Sequence, residues 1–243
     1  MELPFEDLLI ESAGSIATVT INRPALRNAC RAQTIRELGR AIQHAQDLPG
    51  TRAIILTGSG DKAFSAGADL KELRDRRNPA LTGKVLIEGW GETLRRIEMS
   101  PLPVIAAVRG YAVGGGTEIA MACHLRVAGE SARFGQPEIL RGHLPGAGGT
   151  VRLPRLIGIG RAMQYLLTGK DITAQEAERI GLANWIVPDA DVLSFAHSVA
   201  RHIASLPASA VRLTLQAVVS GRDMAAESAL VFEQSLCASV RHA

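Results

Sequence analysis

Hydrophobic and polar positions divide the chain into short strands and longer helices. Residues 7–12 and 15–21 predict a hairpin, with Gly14 at the turn and Ala17, Val19 and Ile21 on one face. Pro24 breaks the second strand and predicts an extended loop through Ala29. Over residues 30–46 the period becomes helical, with Ile35, Leu38 and Ile42 on one side and Arg31, Arg36 and Arg40 on a solvated face. Two unbroken apolar runs, 53–57 and 104–108, predict buried strands. Between them the pattern predicts a short helix from about residue 69, a loop marked by Asn78-Pro79 and Thr82-Gly83, and a helix carrying Leu86, Trp90, Leu94 and Ile97 along one side. Short strands within 124–134 follow, then a glycine-rich loop over 144–150 and helices over 150–168. Thr173-Ala174-Gln175-Glu176 is a capping box, and Gly181 ends that helix. Beyond it the chain reads as mostly helical. One stripe holds Val211, Leu215, Val218 and Val219, another Ala229, Phe232, Leu236 and Val240, with Pro207 before the first. Strand–turn–helix units recur roughly once per 50 residues.

Composition narrows the class. A chain of 243 residues predicts one large domain with a small accessory region and needs no staples. Apolar residues make up 47%, charged residues 21% and aromatics 4%, an ordinary soluble α/β balance. The net charge of +3 is scattered, so nucleic acid is not demanded as a partner. Cys30, Cys123 and Cys237 are widely spaced and odd in number, as reduced thiols of a cytoplasmic protein would be. The start, MELPFEDLLIES, has neither a basic region nor a long apolar stretch, so no signal or transit peptide is expected. No apolar run reaches the ~20 residues of a membrane span, and no membrane partner is expected.

The candidate chemistry lies where the second apolar run ends. Gly114-Gly115-Gly116 precede Glu118 at the head of an apolar helix. Three adjacent glycines cost conformational entropy. What they allow is close approach: bare backbone N–H groups at a helix start attract an anionic oxygen, and a carboxyl beside them supplies proton chemistry. The first apolar run has the same design, leading into Ser65-Ala66-Gly67-Ala68-Asp69-Leu70. Two backbone donors aimed at one oxygen form an oxyanion hole. Plainer readings exist: a tight strand-to-helix turn for the glycines, a first-turn glutamate favoured by the helix dipole for Glu118, and an acid after Pro137 at a helix start for Glu138. Gly58-Ser59-Gly60-Asp61-Lys62-Ala63 fits a loose dinucleotide pattern but lacks the later acid and does not open a helix. There is no Walker lysine, no nucleophile elbow and no metal-ligand spacing among six dispersed histidines.

FSAGADLKEL, GYAVGGGTEIAMAC and FGQPEILRGHLPGAGGTVRLPRLIG, in this order and spacing, resemble the enoyl-CoA hydratase/isomerase (crotonase) family over essentially residues 5–220. The resemblance implies an α/β fold, a spiral of ββα units over 1–190, with a C-terminal helical oligomerisation region over 191–243. It implies a homotrimer or a hexamer built as a dimer of trimers. By motif position, the amides of Ala68 and Gly115 would hold a thioester oxygen, and Glu118 and Glu138 match the two hydratase glutamates. Ala25, Leu26, Arg27, Ala66, Asp69, Leu70 and Lys71 would contact coenzyme A, and Gly146 would help place substrate and water. The family's usual lysine in the first of these loops falls on Ala25, where Arg27 supplies the charge. His124 stands where aspartate is more usual and reads as a packed or surface histidine. Members usually continue past the position of Val240 into a helix over the acyl pocket, so that contact is assigned to no residue here. The implied activity is enoyl-CoA hydration with no metal or redox cofactor, coenzyme A arriving with the acyl thioester substrate. The alternatives are a double-bond isomerase, a specialised dehydratase or hydrolase, and a non-catalytic acyl-CoA- or RNA-binding member.

Overall fold

The computed structural model describes residues 5–74 and 84–240. The Asn78-Pro79 and Thr82-Gly83 loop lies outside the described residues, as do the side chains of Leu86 and Val240.

The main sheet has six strands in the order β1-β2-β3-β5-β7-β10: Leu8–Ala13, Ile16–Ile21, Ala53–Gly58, Val104–Val108, Leu125–Gly129 and Trp185–Val187. Only β1 and β2 run antiparallel, in register from Leu8↔Ile21 to Ala13↔Ile16, as the hairpin pattern predicts. The other pairings are parallel. Both faces are covered, which is why β3 and β5 are apolar without alternation. Ile54, Leu56, Val104, Ala106 and Val108 face the larger core, where helices α1 (Ala32–Asp47) and α3 (Lys84–Glu98) contribute Ile35, Leu38, Ile42, Leu94 and Ile97. Ile55, Ile105 and Ala107 face the other way, onto Val192, Ala196 and Ala200 of α8 (Val192–Ser205).

A second sheet sits over the ends of the first. Its order is β4 (Ala63–Ser65), β6 (Tyr111–Val113), β8 (Arg133–Gly135) and β9 (Ile172–Thr173), the first three parallel. Each long strand β3, β5 and β7 thus passes into a short one and then toward a helix or turn, the ββα repeat that the family resemblance implies. β4, β6 and β10 escaped the sequence reading, which took 111–113 as turn and the chain after Gly181 as helical. Strands of three residues are too short to show a period.

Around the second sheet lie α2 (Leu70–Arg74), α4 (Gly115–Ala122), α5 (Gly149–Ile157), α6 (Ile159–Thr168) and α7 (Ala174–Arg179). Of the expected capping box only the N-cap half forms: the Glu176 amide donates to Thr173 Oγ1 at 3.2 Å, while the Glu176 carboxylate turns to Arg179 and Tyr165 instead of the Thr173 amide. Within the C-terminal region, α8 is a core helix. The helices that stand away are α9 (Ala208–Gly221), which buries only Leu213, and α10 (Ala226–Val240), which packs on α9. Arg31 departs from the solvated-face expectation: its guanidinium binds Asp7 at 2.8 Å and also pairs with Glu6, pinning the start of the chain to α1. Arg36 and Arg40 are exposed, as expected. Among the described residues no single helix is long and apolar enough to cross a membrane.

Candidate active site

The two glycine-bearing segments meet. Gly67 has φ +82°, and a Cβ on it would fall 2.6 Å from the Val113 carbonyl oxygen and 2.9 Å from the Gly115 nitrogen. A side chain at Gly116 would strike the Ser65 carbonyl at 2.1 Å. The start of α4 is therefore wedged against the end of β4. Thr117 locks it from the other side, its hydroxyl bonding the Ala112 and Gly135 carbonyls and accepting from the Gly135 amide at 3.0 Å. Ala68 follows Gly67 directly, so the segment that carries its amide lies against the one that carries the Gly115 amide. Neither amide is donated to an acceptor among the described residues.

Glu118, one turn into α4, is 3% exposed. Its Oε1 accepts from the amides of Ala147 and Gly149, each at 2.8 Å, in the glycine-rich loop that opens α5. Burial pushes the carboxyl up to about 7; the Glu138 charge adds to this, while the two amides and Arg152 oppose it. Glu138 lies on a 3-10 turn, Pro137–Arg141, where its Oε1 sits 2.9 Å from the place a Cβ on Gly114 would occupy. Burial raises its carboxyl too, against its own backbone amide and Arg141. Gln136, 1% exposed, faces the same carboxylate; with its amide nitrogen turned toward Glu138 it donates at 3.1 and 3.3 Å. Glu138 thus lies against Gly114 while Glu118 turns to the 147–149 loop, and among the described residues neither is taken up in an ion pair.

The loop of Ala25, Leu26 and Arg27 is exposed and is bound edge-on to the Ser65–Asp69 segment. The Ala66 amide donates to the Arg27 carbonyl and the Asp69 amide to the Cys30 carbonyl, both at 2.9 Å. Asn28, fully buried, donates to the carbonyls of Ser59 and Ala63, and this supports left-handed backbone at Arg27 and Asn28. Arg27 lines a cleft of about 230 Å³ with Ser59, Gly60, Asp61 and Lys62. The Asp69 carboxylate is held by Arg23 at 3.1 Å and accepts from the Lys71 amide at 3.1 Å. Leu70 and Lys71 are exposed beyond it, and Gly146 is exposed on the loop that holds Glu118. Among the described residues no group of three His, Cys, Asp or Glu side chains is placed to hold a metal ion.

Four residues of this neighbourhood were missed from sequence. Gln136 was visible in the motif but was assigned no task. Lys62 adds a cation to the cleft of Arg27. Trp90 of α3 packs under Gly115 so closely that a Cβ there would meet its ring at 2.4 Å. Arg152 donates to the Ala147 carbonyl at 2.8 Å. Only folding brings these four to the site. His124 is packed, as expected: Nδ1 accepts from the Val104 amide at 2.9 Å, Nε2 faces the Glu98 carbonyl, and burial pushes it down to about 4.

Comparison with known proteins identifies the family. The model of the enoyl-CoA hydratase/isomerase family matches residues 11–243. A short-chain-enoyl-CoA hydratase of Clostridium acetobutylicum is 42% identical over 233 residues, covering 96% of this chain and 88% of the relative. A crotonyl-CoA hydratase of Syntrophomonas wolfei is 41% identical over 95% of this chain and 88% of its own length. The crystal structure of an enoyl-CoA hydratase from Bacillus anthracis superposes with a TM-score of 0.94 at 38% identity, covering 98% of this chain and 92% of that one. On these matches, which span nearly the whole sequence, this chain belongs to the enoyl-CoA hydratase/isomerase family.

Proposed function

We propose that this chain is an enoyl-CoA hydratase, adding water reversibly to a trans-2-enoyl-CoA to give the 3-hydroxyacyl-CoA in fatty-acid or related acyl-CoA degradation. The observation that carries the reading is one buried and one half-buried carboxyl, Glu118 and Glu138, near a segment whose Gly115 amide, like that of Ala68, meets no acceptor among the described residues. Glu118 has Oε1 occupied by Ala147 and Gly149, while Oε2 has no protein donor among the described residues and is available to water.

In this reading the amides of Ala68 and Gly115 hold the thioester oxygen, which gains charge as the enolate forms. Glu118 takes a proton from water as its oxygen bonds the β-carbon, and Glu138 delivers a proton to the α-carbon; the roles exchange in dehydration. The reacting form carries one proton between the two carboxyls. The rate therefore falls in acid, where both are protonated, and in alkali, where both are ionised. Coenzyme A arrives with the substrate, along Arg27, the backbone of Ala66 to Lys71, and the Ala25–Leu26 turn, with Gly146 helping to place substrate and water. No metal or redox cofactor enters the scheme.

Loss of the ultraviolet absorbance of crotonyl-CoA tests it. Glu118→Gln and Glu138→Gln should each lower kcat by ~10²–10⁴-fold. Binding of acyl-CoA without turnover at any chain length would sink the reading. A double-bond isomerase rate that survives Glu118→Gln would assign isomerisation in its place.

The same reading takes the protein as a cytoplasmic homotrimer or dimer of trimers, with 1–190 as the catalytic core and 191–243 as a helical region. Three free thiols support the location. Exposed apolar side chains on the turn after Pro137 and on α6 support the assembly, among them Leu140 (69%), Ile159 (74%) and Leu167 (63%).

A further inference from the structure

An ion cluster behind the site takes no part in the scheme above, yet it holds the loop that holds Glu118. Glu98, the last residue of α3, has a side chain only 8% exposed. It accepts from Arg152 of α5 at 3.2 Å (Nε) and 3.0 Å (Nη2), and from Arg222, just past α9, at 2.7 Å. The remaining Arg152 nitrogen, Nη1, donates to the carbonyl of Ala147 at 2.8 Å. The amide of that same residue donates to Glu118. Gly148, between the two amides that bind Glu118, has φ +101°, and a Cβ on it would fall 2.1 Å from Arg152 Nη1. The guanidinium thus fills the space against which the loop is folded. Buried ion clusters add little net stability over well-packed apolar residues, so stability alone is a weak reason for this one.

We propose that Arg152 is a positioning residue for hydration: anchored by Glu98 and Arg222, it fixes the 147–149 loop so that two amides hold one Glu118 oxygen and leave the other for water. The kinetic part of this rests on the hydratase reading; the geometric part does not. The charged groups that bear on Glu118 are Glu138, from the turn after Pro137, and Arg152, with Glu98 and Arg222 behind the latter.

The test uses the full chain, with three variants and two readouts. The Glu118 carboxyl is titrated by ¹³C NMR in glutamate-labelled protein, its signal assigned by its loss in Glu118→Gln; kcat and KM are read on crotonyl-CoA. Arg152→Gln should raise the Glu118 titration by roughly one pH unit. The same variant should lower kcat by ~10–10²-fold while KM changes by less than about threefold. Arg152→Lys keeps the charge but lacks the fork that reaches Ala147 and Glu98 together. It should restore the titration and leave kcat low. Arg222→Gln should shift both readouts in the same direction by less. A folded Arg152→Gln with an unmoved Glu118 titration and parental kcat overturns the proposal. If that variant does not fold, a folded Arg222→Gln with both readouts unmoved overturns it equally. A parent chain without hydratase turnover would remove the functional reading while the NMR readout still decides the positioning role.

Discussion

Glu98 and Glu118 are buried and Glu138 is half-buried, and the three meet different fates. Burial alone would raise Glu98, but Arg152 and Arg222 bond it and hold it below the usual carboxylate range. Glu118 has only amide donors and a distant guanidinium against its burial and a neighbouring carboxylate, and rises to about 7. Glu138 rises for the same first reason. Perturbed carboxyls without a structural ion pair are what acid–base chemistry uses. The raised value has a consequence for folding. A carboxyl higher in the folded than in the unfolded state lends stability that is complete below the unfolded value of about 4.5 and lost as pH rises through about 7. Glu118→Gln keeps the acceptor for both amides and removes the charge. Relative to the parent it should gain stability from pH 5 to pH 8, on the order of 1–3 kcal/mol. Thermal melts should show a growing gap of about 2–4 °C per kcal/mol. A gap independent of pH would mean that Glu118 is ordinary in the folded protein. The variant would then be firmer and inactive, a trade expected where a site carries strain for function.

At the scale of elements, the site depends on how closely α4 approaches its neighbours. Trp90 of α3 lies against the Cα of Gly115, so helix packing and the amide proposed to hold the thioester oxygen share one contact. Gly115→Ala would set a methyl carbon 2.4 Å from the indole, and either α4 or the ring must move. The expected cost is 1–3 kcal/mol of stability. Hydratase kcat should also fall by ~10²–10³-fold, because the displaced amide no longer meets the oxyanion. Trp90→Leu in the Gly115→Ala background should recover much of the stability, measured as a double-mutant cycle in denaturant. Strict additivity of the two changes would show that the contact carries no coupling. Gly67 is under a stricter demand, since its φ of +82° and the Val113 carbonyl at 2.6 Å both exclude a side chain.

At the scale of the whole molecule, apolar surface is left over. Leu140, Leu144, Ile159, Met163 and Leu167 are each half or more exposed. α10 shows Leu230 and Val231 to solvent at 57% and 67%. Surface of this kind on several elements is what the proposed subunit contacts would cover. Sedimentation at micromolar concentration should give a trimer or hexamer, and Ile159→Lys with Leu167→Lys should lower the mass toward the protomer. A parent that sediments as a monomer would refute the assembly.

Local pattern determined much of this protein. The β1–β2 hairpin, the two apolar strands, the helix of Ile35, Leu38 and Ile42, the N-cap at Thr173 and the glycine–glutamate segments could all be read along the chain. Each depends on neighbours within a few residues, or on an apolar run that only a two-sided core can absorb. Tertiary structure decided what depends on meeting. Strands β4, β6 and β10 are held by partners rather than by their own three residues. Arg31, placed on a solvated helix face by its period, is instead tied to Glu6 and Asp7 at the start of the chain. The task of Glu118 follows from amides 29 and 31 residues away, and those are held by Arg152. Hydrogen bonds and charges act over ångströms in space, and only folding sets which distant residues come within that reach.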